Sequence, residues 1–169
     1  MMDKSFSVLI PAYKSRYLKE AIESVLAQTY QYWELIIVDD NSPNDLWKIV
    51  QEFKDNRISY YRNERSFGAC DVVYNWNKCL SYAKGDYVIC MGDDDCLLPC
   101  CLDEYVKLIN KYPALNVYHA KTQLIDEDSN MFFSKNQGRS MKRLIQCYII
   151  YGFISVFNLL VIFSLKKIG

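Results

Sequence analysis

Glu34-Leu-Ile-Ile-Val-Asp-Asp-Asn-Ser42 gives the strongest indication of the fold, because a run of apolar residues ends there at two consecutive carboxylates. A short continuous apolar run is typical of a strand that is buried on both faces, as in a parallel sheet. The predicted strand covers residues 33–38. The Asn, Ser and Pro that follow Asp39 and Asp40 favour a turn directly after it.

The same alternation of strand and helix continues along the chain. Further strands are predicted at residues 6–10, where Pro11 ends the run, and at 58–61, 87–91 and 116–125. Helical spacing of apolar side chains predicts four helices. They cover residues 17–27, about 46–53 with Asn44 or Asp45 as N-cap, 72–83 ended by Gly85, and about 99–111 with Pro99 in the first turn. This order predicts an α/β domain with a mostly parallel sheet flanked by helices.

Three polar segments follow strands of this predicted sheet. Asp39-Asp40 follows the second strand, Asp93-Asp94-Asp95 the fourth, and Pro11-Ala12-Tyr13 the first. Parallel strands present their carboxyl ends at one edge, where open α/β sheets bind ligands. Adjacent carboxylates raise each other's pKa unless a cation or hydrogen-bond donors compensate, and a divalent metal on a diphosphate would do so. The alternative is that the acids have a structural role only, as a self-capped turn and an acidic approach to a helix N-terminus.

Composition narrows the class of protein. Twenty Lys and Arg balance twenty Asp and Glu, whereas a nucleic-acid-binding protein usually carries a basic excess. We therefore expect no nucleic-acid partner. The seven cysteines form no CxxC pair and lie mostly in apolar runs, which indicates reduced thiols in a cytoplasmic protein.

Six short motifs share a fixed order and spacing over residues 5–125. They are Ser7-Val-Leu-Ile-Pro-Ala-Tyr13, Ala21-Ile-Glu-Ser-Val-Leu-Ala-Gln-Thr-Tyr30, Glu34-Leu-Ile-Ile-Val-Asp-Asp-Asn-Ser42, Asn75-Trp-Asn77, Ala83-Lys-Gly-Asp-Tyr87 and Gly92-Asp-Asp-Asp-Cys-Leu-Leu-Pro99. Together they resemble the donor-binding part of family 2 glycosyltransferases. The resemblance implies a GT-A fold, which is the Rossmann-like fold of nucleotide-diphospho-sugar transferases, and a nucleotide-diphospho-sugar donor.

The resemblance also implies roles for matching positions, with Mg²⁺ or Mn²⁺ as cofactor. Pro11, Ala12 and Tyr13 would line the pocket of the nucleotide base. Asp40 would accept a hydrogen bond from the base, with Asp39 supporting the turn. The remaining positions form the sugar and metal side of the site: Asp93 near ribose and metal, Asp94 as principal metal ligand, Asp95 placing the loop or the sugar as a further candidate ligand, and Asn77 in the helix that flanks the donor.

Two departures from the family pattern affect these roles. Gly92 stands where the commonest pattern has its first Asp, so the choice of metal ligand between Asp93 and Asp94 stays open. Trp76 stands where an Arg is common, and Lys78 or Arg65 would then have to meet the diphosphate. His119, the only histidine, falls in a predicted strand and is interpreted as structural.

The implied reaction inverts the sugar's anomeric centre, since an acceptor hydroxyl displaces the nucleoside diphosphate. A general base must lie within hydrogen-bond reach of that hydroxyl. In the family it is an Asp from the second half of the domain, yet no Asp or Glu follows Asp128 here. The catalytic base is therefore unassigned, and a donor-binding remnant without activity is the alternative.

The C-terminal part allows two interpretations. Residues 144–165 are apolar enough to span a bilayer, although Ser155 and Asn158 interrupt the run. The favoured interpretation divides the chain into a nucleotide-sugar-binding domain, residues 1–128, and the start of an acceptor-side region, residues 129–169. The acceptor would be a glycan or a lipid-linked glycan at the inner face of the cytoplasmic membrane, with peripheral membrane association. A small membrane-anchored protein is the other hypothesis.

Overall fold

The computed structural model describes residues 4–68, 71–120, 122–129, 143–146 and 161–164. Its helices are α1 (Leu18–Leu26), α2 (Leu46–Val50), α3 (Val72–Tyr82) and α4 (Cys101–Lys111). Its strands are β1 (Phe6–Ala12), β2 (Trp33–Asp39), β3 (Ile58–Arg62), β4 (Tyr87–Cys90), β5 (Cys96–Leu97), β6 (Val117–His119), β7 (Thr122–Ile125), β8 (Arg143–Gln146) and β9 (Val161–Ser164).

The main sheet has the strand order β3-β2-β1-β4-β9-β6. Strands β3, β2, β1 and β4 are parallel, whereas β9 runs antiparallel to both β4 and β6. A second sheet has the order β5-β8-β7. The predicted mostly parallel sheet with flanking helices is confirmed for β1 to β4, the part that carries the acidic segments.

Strand β2 is apolar from Leu35 to Val38 because both of its faces are covered. Leu35 and Ile37 belong to the large core that includes α1, whereas Ile36 and Val38 pack against Cys79 of α3. All four side chains are at most 1% exposed. Each buried aliphatic side chain contributes about 1.5–3 kcal/mol, so this strand anchors the turn that follows it.

The first strand does not end where we predicted. The sequence predicts a stop at Pro11, but β1 continues to Ala12. The carbonyl of Leu9 accepts from Met91 on the β4 side, and that of Ala12 accepts from Asp40 on the β2 side. Strand alternation therefore turns Pro11 towards β4, whose pairing with β1 ends at Leu9, so its missing N–H breaks no ladder bond.

Two residues that were predicted to mark helix ends have other positions in the structure. Pro99 was predicted in the first turn of α4, but α4 begins at Cys101, and its Leu102 N–H is capped by Gln28 Oε1 at 3.1 Å. Gly85 was predicted to end α3, yet Ala83 is the C-cap in extended conformation. Gly85 is instead needed for close approach, since a Cβ there would lie 2.7 Å from the backbone nitrogen of Ser7.

The predicted strand at residues 116–125 is wrong as one element. Residues 117–119 form β6 of the main sheet, and residues 122–125 form β7 of the second sheet. Within the described parts of the chain, no helix is long and apolar enough to cross a membrane. The centre of the apolar segment, residues 147–160, lies outside the described residues, and its two ends contribute to β8 and β9.

Candidate functional site

The carboxyl ends of β1, β2 and β4 meet at one edge of the sheet, as the parallel arrangement predicts. Asp93 reaches across from the end of β4 and accepts hydrogen bonds from the backbone nitrogens of Tyr13, at 2.7 Å, and Lys14, at 2.6 Å. Asp40 N donates to Ala12 O at 2.8 Å. The three polar segments therefore form a single cluster.

Asp39 is fully buried and holds the turn after β2. Its Oδ1 accepts from Ser42 N at 2.6 Å, and its Oδ2 accepts from Tyr60 at 2.6 Å and from Arg62 at 2.8 Å. Burial, together with the bond to Asp39, raises the pKa of Tyr60 to about 12, so this phenol stays a donor. These contacts hold the turn closed, and the part of Asp39 in a donor site stays a prediction.

Asp40 carries the most complete hydrogen-bond shell of the cluster. It accepts from Asn63 Nδ2 at 3.0 Å, Ser66 Oγ at 2.9 Å, Phe67 N at 3.0 Å and Gly68 N at 2.8 Å. Burial raises the pKa of Asp40, but these donors outweigh it and bring the pKa below its ordinary value. Four donors match the roughly four lone-pair positions of a carboxylate, so a nucleotide base that bonds to Asp40 has to replace one of them.

Asn75, rather than Asn77, joins this network. Asn75 Oδ1 accepts from Asn63 Nδ2 at 2.9 Å, and its Nδ2 donates to Val38 O at 3.4 Å. Asn77 lies exposed on α3, and its predicted contact with the donor stays a prediction. The missed signal is helical spacing: buried Cys79, four residues later, places Asn75 on the face that packs on the sheet.

Among the three residues predicted to line the base pocket, only Tyr13 offers a largely accessible side chain. Ala12 is fully buried and Pro11 is partly buried, whereas Tyr13 is 46% exposed. The carbonyl of Tyr13 accepts from Ser42 Oγ at 2.6 Å. Its backbone is thereby held on both sides while its ring faces solvent.

The three consecutive acids have different surroundings. Asp93 is 7% exposed, and burial raises its pKa; the N–H groups of Tyr13 and Lys14 oppose this shift, and neighbouring Asp94 adds to it. The Asp94 side chain is 28% exposed, and its Oδ2 lies 3.5 Å from Lys14 Nζ. Asp95 Oδ2 accepts from Gly92 N at 2.9 Å and closes the turn.

Gly92 has a steric reason to stand at the position where the family commonly has an Asp. A Cβ there would lie 2.9 Å from Asp94 Oδ1 and 3.1 Å from Asp95 Oδ2. A larger residue would therefore push these carboxylates aside. The departure from the family pattern makes room for the turn that orients them.

The acids fit a metal only as part of a larger ligand set. Within the described residues, no group of three or more His, Cys, Asp or Glu side chains could hold a metal ion by itself. Mg²⁺ is commonly bound through one or two carboxylates plus substrate phosphates. The partly exposed Asp94, with Asp93 beside it, fits this second arrangement.

A groove of about 710 Å³ lies between the β3–α3 connection and one side of α3. Arg65 and Lys78, both predicted as substitutes for the missing family Arg, line it, and so do Phe67 and Tyr74, whose rings stack at 3.7 Å. The lining includes none of the acids at positions 93–95. The structure therefore brings Arg65 and Lys78 together in a groove on the Asp40 side of the cluster, where Asn63 and Phe67 also line it.

These features define a class of protein. A sheet of order β3-β2-β1-β4 with helices on its faces and acidic turns after β2 and β4 is the GT-A fold. Two solved structures share it with a TM-score of 0.60. S. aureus TarS 1–349 in complex with UDP-GlcNAc is 23% identical over 81% of this chain and 36% of its own. Mannosyltransferase PcManGT from Pyrobaculum calidifontis, in complex with GDP-Man and Mn²⁺, is 19% identical over 69% of this chain and 35% of its own.

The chain belongs to glycosyl transferase family 2, whose model matches residues 7–169. An uncharacterized glycosyltransferase of Rickettsia typhi is 31% identical over 157 residues, which cover 91% of this chain and 46% of that protein. The UDP-Glc:alpha-D-GlcNAc-diphosphoundecaprenol beta-1,3-glucosyltransferase WfgD of Escherichia coli is 36% identical over 96 residues, 56% of this chain and 37% of that protein. The predicted family is confirmed, and the chain spans less than half the length of these relatives.

Proposed function

We propose that this chain binds a nucleotide-diphospho-sugar and serves an inverting, metal-assisted transfer of the sugar to a hydroxyl of a glycan or lipid-linked glycan. The observation that carries the proposal is the bond of Asp93 to the backbone of Tyr13 and Lys14, because it joins the acid cluster to the base-pocket segment. A donor that lies across this junction meets base, ribose and diphosphate contacts in order.

The proposed role of each residue follows from its exposure and its charge. Tyr13 presents its ring to the base, and Asp40 exchanges one of its loop donors for the base N–H. Asp94, with Asp93, holds Mg²⁺ or Mn²⁺ against the diphosphate. The bound cation would neutralise charge that develops on the leaving nucleoside diphosphate. Asp95 keeps the turn closed through Gly92 N.

The general base is assigned to no residue of the cluster. Asp39, Asp40, Asp93 and Asp95 are engaged with donors of the fold, and Asp94 is needed for the cation. The sequence offers no Asp or Glu after Asp128. A second candidate function is binding of the donor without transfer of the sugar.

The proposed acceptor class is supported by a relative whose name specifies a lipid-linked acceptor. The Escherichia coli enzyme WfgD acts on a diphosphoundecaprenol-linked sugar, as its name states. A comparable acceptor would bring this chain to the inner face of the cytoplasmic membrane by peripheral association.

Isothermal titration with UDP, GDP, CDP and dTDP, each with and without Mn²⁺, tests the proposal. We expect one nucleotide to bind in a Mn²⁺-dependent manner, and Asp94→Asn to abolish that dependence. Asp86→Asn is the matched control, because it removes one carboxylate at the opposite end of β4. No binding of any nucleotide would rule out a donor site. Binding with neither transfer nor hydrolysis of the matching nucleotide-sugar would select the second candidate.

A further inference from the structure

Lys14 touches two of the three consecutive acids. Its backbone nitrogen donates to Asp93 Oδ2 at 2.6 Å, and its side-chain Nζ lies 3.5 Å from Asp94 Oδ2. The backbone bond fixes the Lys14 main chain beside the cluster, within reach of its side chain. The Lys14 side chain is 67% exposed, so its ammonium can pair with other nearby anions.

The Lys14 ammonium lies where two neighbouring carboxylates require a compensating positive charge. Asp93 is buried next to Asp94, and neighbouring carboxylates repel each other unless a cation compensates. A divalent cation and the Lys14 ammonium would therefore be attracted to the same oxygen of Asp94. Only one of them can occupy that oxygen at close range.

We propose that Lys14 is the resident counter-cation of Asp94 and moves to the donor diphosphate when a divalent cation takes its place. The inference rests on the proposed donor site and adds a positioning residue to it. In the empty site Lys14 competes with metal, whereas in the loaded site it binds phosphate oxygens as a point charge.

A purely structural role predicts a different behaviour. Exposed ion pairs contribute little to folding stability, since their charges are screened by water. If Lys14 served only the fold, its replacement would change neither metal nor nucleotide affinity. The two affinities, measured separately, therefore distinguish the roles.

The test compares Lys14→Gln with Lys19→Gln. Lys19 is 57% exposed and pairs with Glu52 at 2.7 Å, so this control removes a similar ion pair on α1. Mn²⁺ affinity is measured by electron paramagnetic resonance without nucleotide, and affinity for the best-binding nucleoside diphosphate by calorimetry in saturating Mn²⁺. One unit charge at about 4 Å in water changes either affinity about fivefold.

We expect Lys14→Gln to bind Mn²⁺ about fivefold more tightly and, in saturating Mn²⁺, to bind the nucleotide about fivefold more weakly. Lys19→Gln should change neither, and Lys14→Arg should retain the behaviour of the unmodified chain. Unchanged Mn²⁺ affinity in Lys14→Gln overturns the counter-cation, and unchanged nucleotide affinity overturns the move to the diphosphate. If the unmodified chain binds no nucleotide at all, the proposed function fails. The Mn²⁺ measurement still decides whether Lys14 competes with metal at Asp94.

Discussion

Gly68 N donates to Asp40 Oδ2 at 2.8 Å across 28 residues of chain, from a backbone with φ +54°. The left-handed conformation that favours glycine thus serves to aim an N–H at the carboxylate. The loop after β3 closes over the acid that we propose for base recognition. Stability and donor binding are coupled at this carboxylate.

Asp40→Asn should lower the free energy of unfolding by about 1–3 kcal/mol, because one acceptor oxygen becomes a donor that faces backbone N–H groups. The lowered pKa of Asp40 means that its contribution is present above the unfolded value of 3.8 and is lost as pH falls through the lower folded pKa. Urea denaturation at pH 7 and pH 3 checks this, with a smaller difference expected in acid. Asp45→Asn is the control, because Asn caps α2 as well as Asp does. An equal loss in both variants would contradict the prediction.

Asp93→Asn should bind metal and nucleotide about 10-fold to 100-fold more weakly while it folds at least as stably as the unmodified chain at pH 7. Burial raises the pKa of Asp93, so its ionisation opposes folding above the folded pKa, and this cost vanishes below the unfolded value of 3.8. An Asn oxygen can still accept from Tyr13 and Lys14. Urea titrations at pH 7 and pH 3.5 measure the pH-dependent gain. Asp128→Asn, an exposed site, should show no such gain, and a strongly destabilised Asp93→Asn would refute the account.

Gly92→Ala and Gly85→Ala should fail in different ways. At Gly92 the new Cβ meets carboxylate oxygens of Asp94 and Asp95, so we expect nucleotide affinity to fall about 10-fold to 100-fold with little change in stability. At Gly85 the Cβ meets the backbone of Ser7, and unfolding should become easier by about 1–3 kcal/mol. Calorimetry and thermal denaturation of both variants separate the two effects. If Gly92→Ala lost stability and kept its affinity, the turn would be structural only.

Asn75→Ala and Asn77→Ala should separate the contribution of α3 to stability from its contribution to donor binding. Asn75 is buried and bonds to Asn63, so its loss should cost about 1–3 kcal/mol of unfolding free energy. Asn77 is exposed, so Asn77→Ala should stay within about 0.5 kcal/mol. A fall in nucleotide affinity for Asn77→Ala, measured by calorimetry, would support its predicted contact with the donor. Full affinity would remove Asn77 from the site.

The parts of the fold that the sequence predicts well are those with one dominant physical cause. Residues 33–38 are apolar because both faces of β2 are covered, and α1 shows its buried face at helical spacing. The meeting of Asp40 and Asp93 with Tyr13 follows from parallel strand order alone. These features need no knowledge of particular side-chain partners.

The remaining features depend on contacts that leave no local pattern. The donors to Asp40 lie 23–28 residues away in a loop without periodicity. Strand β5 has two residues, too few for any alternation to be detected, and the separation of β6 from β7 depends on which sheet each joins. Pro11 was predicted to end the first strand, whereas β1 continues past it because β4 has no pairing partner there.

Tyr13 links the two acidic turns through a single residue, with its N–H bonded to Asp93 and its carbonyl to Ser42 of the turn that Asp39 closes. In the proposed site, a cation that displaces Asp93 therefore also affects the base side, because the two hydrogen bonds of Tyr13 connect them. Such a linkage makes cation and nucleotide heterotropic effectors of each other, and each must raise the other's affinity by the same factor. The proposed site would then behave as one thermodynamic unit rather than as two adjacent subsites.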